Sequence, residues 1–114
     1  MSNKITVAAA HLAPVYLNAA ATVDKVCAYI RKAAAEGVQL VAFPESILPG
    51  FPVWPALAAP IYNHELFKRF VAQSVRVPGP EILKICAAAR EAGIIVSIGI
   101  SEATDRSVGC IWNT

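Results

Sequence analysis

Three apolar runs of strand length, residues 5–12, 38–43 and 94–100, alternate with stretches of helical spacing, and this alternation constrains the fold more than any other feature of the chain. Each run is continuous rather than alternating, the pattern of a strand covered on both faces in a parallel sheet. Between the first two, Asn18 offers an N-cap, and Val23, Val26, Cys27, Ile30, Ala33 and Ala34 recur at helical spacing up to a terminating Gly37. Asp24, Lys25, Arg31, Lys32 and Glu36 fall on the opposite, wet side of that helix. A second helix is predicted through His64, Leu66, Phe67, Phe70 and Val71, with Asn63 as its cap. After the break at Pro78-Gly79-Pro80, a third helix spans 81–92 with Ile82, Ile85, Cys86 and Ala89 inward and Gly93 at its end. Residues 104–107 then turn into a fourth strand. Strand, helix, strand, helix, strand is the signature of an α/β fold with helices on the face of a sheet.

The segment after the second strand is of another kind. Residues 37–63 hold no charged side chain except Glu45, and Pro44, Pro49, Pro52, Pro55 and Pro60 exclude both a regular helix and a central strand. A stiff, apolar, irregular segment is expected to pack against the rest of the chain, leaving its one charge partly desolvated. Glu45 lies two residues beyond the second strand, where open α/β sheets bind ligands. It is therefore expected at the mouth of the sheet, at least half buried and with few charged neighbours. Desolvation favours a carboxylate's protonated form, which is how a glutamate becomes a general base near neutral pH. The alternative is a loop glutamate that is solvated, or held by backbone N–H groups.

The chain of 114 residues is 56% hydrophobic and 16% charged, against roughly 45–50% apolar and about 25% charged in an ordinary domain. So short a chain cannot hide that much apolar area by itself, so it is expected to be part of a larger fold or to bury a face in an oligomer. The net charge of +2 with dispersed Lys and Arg gives no footprint for nucleic acid. No run of about eighteen apolar residues lacks both charge and proline, so no membrane span is read. Cys27, Cys86 and Cys110 are odd in number and far apart, which suits reduced thiols and a cytoplasmic location. Cys27 and Cys86 read as core residues, and Cys110, with no base nearby, as structural. His11 and His64 lack partners at ligand spacing, so no metal is expected. Glu102 reads as a structural hydrogen-bonding residue, and no nucleotide-binding fingerprint appears.

The strand ending in His11, VAFPE at 41–45, PGFPVW at 49–54, VPGP at 77–80, GISE at 99–102 and the closing WNT have an order and spacing that resemble the amino-terminal part of a nitrilase, in the carbon–nitrogen hydrolase superfamily. The resemblance spans essentially the whole chain, and the PGFPVW segment is similar to the nitrilase branch rather than to amidases or carbamoylases. It implies an α-β-β-α sandwich of which these residues supply only the first strands and helices. It also implies that Glu45 is the general base, drawing the proton from a cysteine thiol so that the thiolate attacks a nitrile carbon. The thioimidate is then hydrolysed, ammonia leaves and a second water frees the carboxylic acid, with a lysine stabilising the developing charge. The family needs no metal or organic cofactor, and its subunits pair through their helical layers into homo-oligomers. Phe51 stands where many relatives have tyrosine. With Trp54 and Leu57 near the base, Phe51 and Trp54 are expected to bind the substrate, an aromatic or arylaliphatic nitrile.

In that family the lysine and a Cys-Trp-Glu cysteine lie downstream of the WNT strand. Cys110-Ile111-Trp112 falls too early and lacks the glutamate, and Lys25, Lys32, Lys68 and Lys84 all lie on predicted helices. Residues 1–114 are therefore read as the amino-terminal part of a single domain, stopping before both partners and inactive alone. The alternatives are a non-catalytic half-sandwich that self-associates and, among enzymes, a cyanide hydratase or an amidase.

Overall fold

A computed structural model describes residues 3–114. Strands β1 (Val7–Ala9), β2 (Leu40–Ala42) and β3 (Ile95–Ser97) form a parallel sheet in that order. Its register sets Ala8 beside Val41 and Val41 beside Val96. Helices α1 (Ala19–Ala35), α2 (His64–Gln73) and α3 (Pro80–Ala92) follow the predicted order, with short 3₁₀ turns at Trp54–Ala56 and Pro60–Tyr62. Strands β4 (Ser101–Ala103) and β5 (Ile111–Asn113) pair antiparallel in a second, two-stranded sheet. This mixed α/β architecture matches one half of a sandwich.

The core lies where α1 and α3 pack together on the sheet. Val23, Val26 and Ile30 of α1 and Ile85 and Ala88 of α3 are buried with Val41. Complete burial of a side chain such as Ile30 stabilises by about 1.5–3 kcal/mol. Asn18 caps α1 as expected, its Oδ1 accepting from the Ala21 N–H at 3.0 Å. Gly37, at φ +79°, follows the helix end in the left-handed conformation that glycine allows.

Four expectations need correction. The strands are covered on one face only: Val7 and Ile95, on the other, are each 60% exposed, because both long helices stack on the same side. Cys86 is exposed, one position off the buried stripe that Ile85 and Ala88 define on α3. Asn63 stands at the N-cap position of α2, but its side chain makes no capping hydrogen bond; its amide Nδ2 donates instead to the carbonyls of Trp54 at 3.2 Å and Ala58 at 2.9 Å, tying the two 3₁₀ turns together. Finally, the apolar run 94–100 is not one strand. β3 stops at Ser97 because the chain at Gly99 is pressed against the loop that carries Glu45, and Ser101 then begins the second sheet.

Candidate active site

Glu45 follows β2 at the carboxyl ends of the parallel strands, as its sequence position requires. Backbone contacts fix the loop. Phe43 N–H donates to the Ser97 carbonyl at 2.8 Å, Ile47 N–H to Gly99 at 3.0 Å, and Ser101 N–H to Leu48 at 2.8 Å. Gly99 is indispensable to this fit, since a Cβ there would stand 2.7 Å from Glu45 Cα and 2.9 Å from both Pro44 O and Ser46 N. The next residue, Ser46, holds a left-handed φ of +49°, a conformation costing a non-glycine residue on the order of 1 kcal/mol. Its buried hydroxyl is hydrogen-bonded to the buried hydroxyl of Ser101 on β4, which secures the turn.

Against expectation, the Glu45 side chain is exposed among the described residues. The physical reason is local: Ser46, Ile47, Leu48 and Pro49 take the buried positions, and the one charged residue of the turn stays in water. Its hydrogen-bond partner is Asn113 on β5, whose Nδ2 donates to Oε1 at 2.6 Å. No ion pair engages Glu45 among the described residues.

Glu45 opens into a cleft of about 240 Å³ lined by Ser46, Phe51, Pro52, Phe70, Ser101, Ile111, Trp112 and Asn113. Its walls are mainly apolar and aromatic, and among the described residues Glu45 is the only charged group lining it. Phe51 reaches this cleft, and its carbonyl accepts from the Tyr16 hydroxyl at 2.9 Å. Trp54 does not. It is 6% exposed, packed with Leu17 and Phe70, and meets Tyr16 and Phe70 edge-on at centroid distances of 6.3 and 5.5 Å. Trp54 thus supports the wall from behind, through Phe70. Leu57 lies off the cleft and exposed. Sequence reading alone passes over Phe70, Ser46 and Ser101, and treats Asn113 only as part of WNT. A polar residue beginning a strand after an apolar run was the available signal for Ser101.

The remaining candidates stand apart. Cys110 is exposed and does not line the cleft. Cys27 is buried between α1 and α3, and this burial pushes its thiol above the ordinary value of 9.0. Lys84 pairs with Asp24, whose hydrogen bond raises the ammonium above its usual range. Glu102 accepts from the Thr114 hydroxyl at 2.9 Å. His11 is exposed, and His64 borders a separate hollow with Trp54 and Phe67. No group of three or more His, Cys, Asp or Glu side chains suited to a metal occurs among the described residues. None of the described helices is long and apolar enough to cross a membrane.

Comparison with known proteins adds an independent line. The carbon–nitrogen hydrolase family model matches residues 6–114. An arylacetonitrilase of Aspergillus oryzae is 42% identical over 100 residues, covering 88% of this chain and 29% of its own length. Nitrilase 2 of an unknown prokaryotic organism is 38% identical over 111 residues, 97% of this chain and 35% of its own. The bromoxynil-specific nitrilase of Klebsiella pneumoniae subsp. ozaenae is 39% identical over 108 residues, 95% of this chain and 31% of its own. The chain thus spans about a third of the length of these relatives.

Proposed function

Because the chain belongs to the carbon–nitrogen hydrolase family, we propose that it supplies the general-base half of a nitrilase site, with Glu45 as the base. The observation that carries this reading is the position of Glu45, the one charged group lining an apolar cleft at the carboxyl ends of the sheet. No described residue lining the cleft is a cysteine or a lysine, so on this reading both partners would be supplied from outside these 114 residues. Glu45 takes the thiol proton while sulfur bonds to the nitrile carbon, and the nitrile nitrogen gains a proton to give a thioimidate. Water adds, ammonia leaves, and a second water cleaves the resulting thioester to carboxylic acid and free thiol. Two waters enter, and one ammonia and one acid leave.

Phe51, Phe70 and Trp112 give the cleft aromatic walls, which suit an aromatic or arylaliphatic nitrile. The names of the arylacetonitrilase and bromoxynil-specific relatives point the same way. A second reading, a non-catalytic module that pairs through its sheet, is favoured by the open apolar face around Val7 and Ile95.

Reading the encoding gene past codon 114 separates the two. Continuation into a lysine and a Cys-Trp-Glu motif supports the enzyme, and a stop codon supports the module. With such a full-length product in hand, ammonia release from phenylacetonitrile should be abolished by Glu45→Gln, whereas unchanged turnover refutes the base assignment. Residues 1–114 alone should release no ammonia above the blank.

A further inference from the structure

We infer that Asn113 is a positioning residue for the Glu45 base, an assignment that rests on the nitrilase reading above. Glu45 is exposed, so nothing in core packing fixes which way its carboxylate faces. The 2.6 Å hydrogen bond from Asn113 Nδ2 to Oε1 is its one side-chain hydrogen bond among the described residues. The amide nitrogen must face the carboxylate, since the amide oxygen would meet it acceptor to acceptor.

Asn113 is itself well held. It pairs with Ser101 across the β4–β5 ladder, and Thr114 and Ile100 exchange both backbone hydrogen bonds, at 3.0 and 2.8 Å. Ser101, opposite Asn113, is the residue whose hydroxyl engages Ser46. One antiparallel ribbon therefore grips two consecutive residues of the loop, Glu45 by a side-chain amide and Ser46 by a hydroxyl. The amide is a neutral donor, so it orients the carboxylate without supplying the compensating cation that would hold its charge in place. With Oε1 engaged, Oε2 is the oxygen left to receive the thiol proton. The long separation in sequence, 68 residues, makes this a property of the β4–β5 register rather than of the loop.

The test uses the full-length enzyme carrying these residues, with Asn113→Ala, Asn113→Asp, Glu45→Gln and the Asn113→Ala/Glu45→Gln double variant. Readouts are kcat and KM for phenylacetonitrile, thermal melting, and the iodoacetamide alkylation rate of the nucleophilic cysteine, followed by peptide mass spectrometry. Asn113→Ala should lower kcat about ten- to a hundredfold, the order expected when a reacting group is misplaced by ~1 Å, with KM within about threefold. Asn113→Asp is isosteric but replaces the donor with a carboxylate, so it should lose at least as much while still folding, and it carries the test if the alanine variant does not fold. In the Glu45→Gln background, Asn113→Ala should slow alkylation no further, because its only route to the thiol has been removed. Equal slowing in both backgrounds means a merely structural role and overturns the proposal, as does unchanged kcat in both Asn113 variants. Normal turnover by Glu45→Gln would instead overturn the base assignment, whereas an inactive Glu45→Gln beside fully active Asn113 variants overturns this inference alone.

Discussion

Replacing Gly99 with alanine should disarm the site without touching any group that does chemistry. The added Cβ would lie 2.7 Å from Glu45 Cα, and ordinary contact begins near 3.4 Å, so the loop or the Gly99 strand must retreat by the difference, about 0.7 Å. All three atoms that the methyl meets belong to backbone, so no rotamer change relieves the contact. Overpacking of this kind destabilises by about 1–3 kcal/mol. Because the displaced atoms carry Glu45 itself, kcat should fall by roughly 10- to 100-fold, in line with the penalty for a ~1 Å error in a reacting group.

Gly93→Ala is the matched control. Gly93 ends α3 at φ +65° with no atom near its Cβ position, so alanine there incurs only the left-handed backbone penalty, about 1–2 kcal/mol. The two variants, compared by urea denaturation and, in a longer product that carries the proposed nitrilase site, by ammonia release at saturating nitrile, should lose similar stability. Only Gly99→Ala should lose turnover beyond the unfolded fraction. If Gly99→Ala matched Gly93→Ala in both measurements, then either the loop yields freely or Glu45 is not the base, and the reasoning fails.

Further expectations follow from the packing. A thiol reagent applied to the native protein should label Cys86 and Cys110 quickly and Cys27 only on unfolding; equal rates at all three would contradict the α1–α3 contact. The folded core holds Cys27 as a neutral thiol, pushed above its ordinary 9.0, so the unfolded chain gives up its proton first. The stability this contributes is complete below pH 9.0 and is lost as pH rises through the raised folded value. Urea midpoints between pH 8 and 11 should fall less steeply in Cys27→Ala, though not become flat, because the Lys84–Asp24 pair weakens in the same direction at higher pH. Asn63→Ala should destabilise by about 0.5–1.5 kcal/mol in urea denaturation by removing the amide that ties the Trp54 and Ala58 carbonyls together, and no loss would mean water replaces the amide. The isolated 114-residue chain should sediment as an oligomer through its open sheet face, whereas a monodisperse monomer would show that the exposed Val7 and Ile95 surface needs no cover.

What could be read from sequence was what short-range periodicity encodes. Val23, Val26, Cys27 and Ile30 repeat at helical spacing and are all buried, and Asn18 caps the helix they form. Asn63 has the same chemistry as Asn18, yet its side chain serves carbonyls rather than a helix N-terminus, because the proline-bearing turns at 54–56 and 60–62 bring the Trp54 and Ala58 carbonyls to it. Phe51 and Trp54 are equally aromatic and three residues apart, but an irregular segment has no period that says which faces inward. Tyr16 and Phe70 decide it, by closing on Trp54 from distant parts of the chain. Glu45 stood out because it is alone, and the reason is physical: a charge is retained in an otherwise uncharged stretch only where water or a partner can reach it. The structure supplies both, the open cleft and Asn113. That partner could not be read in advance, since its place depends on where β3 ends, and β3 ends at Ser97, just before Gly99 meets the backbone of Glu45. On the proposed reading, Gly99 lies two residues past the end of β3 and two before the ribbon whose far strand carries Asn113, so one close backbone approach joins the sheet, the candidate base and its partner.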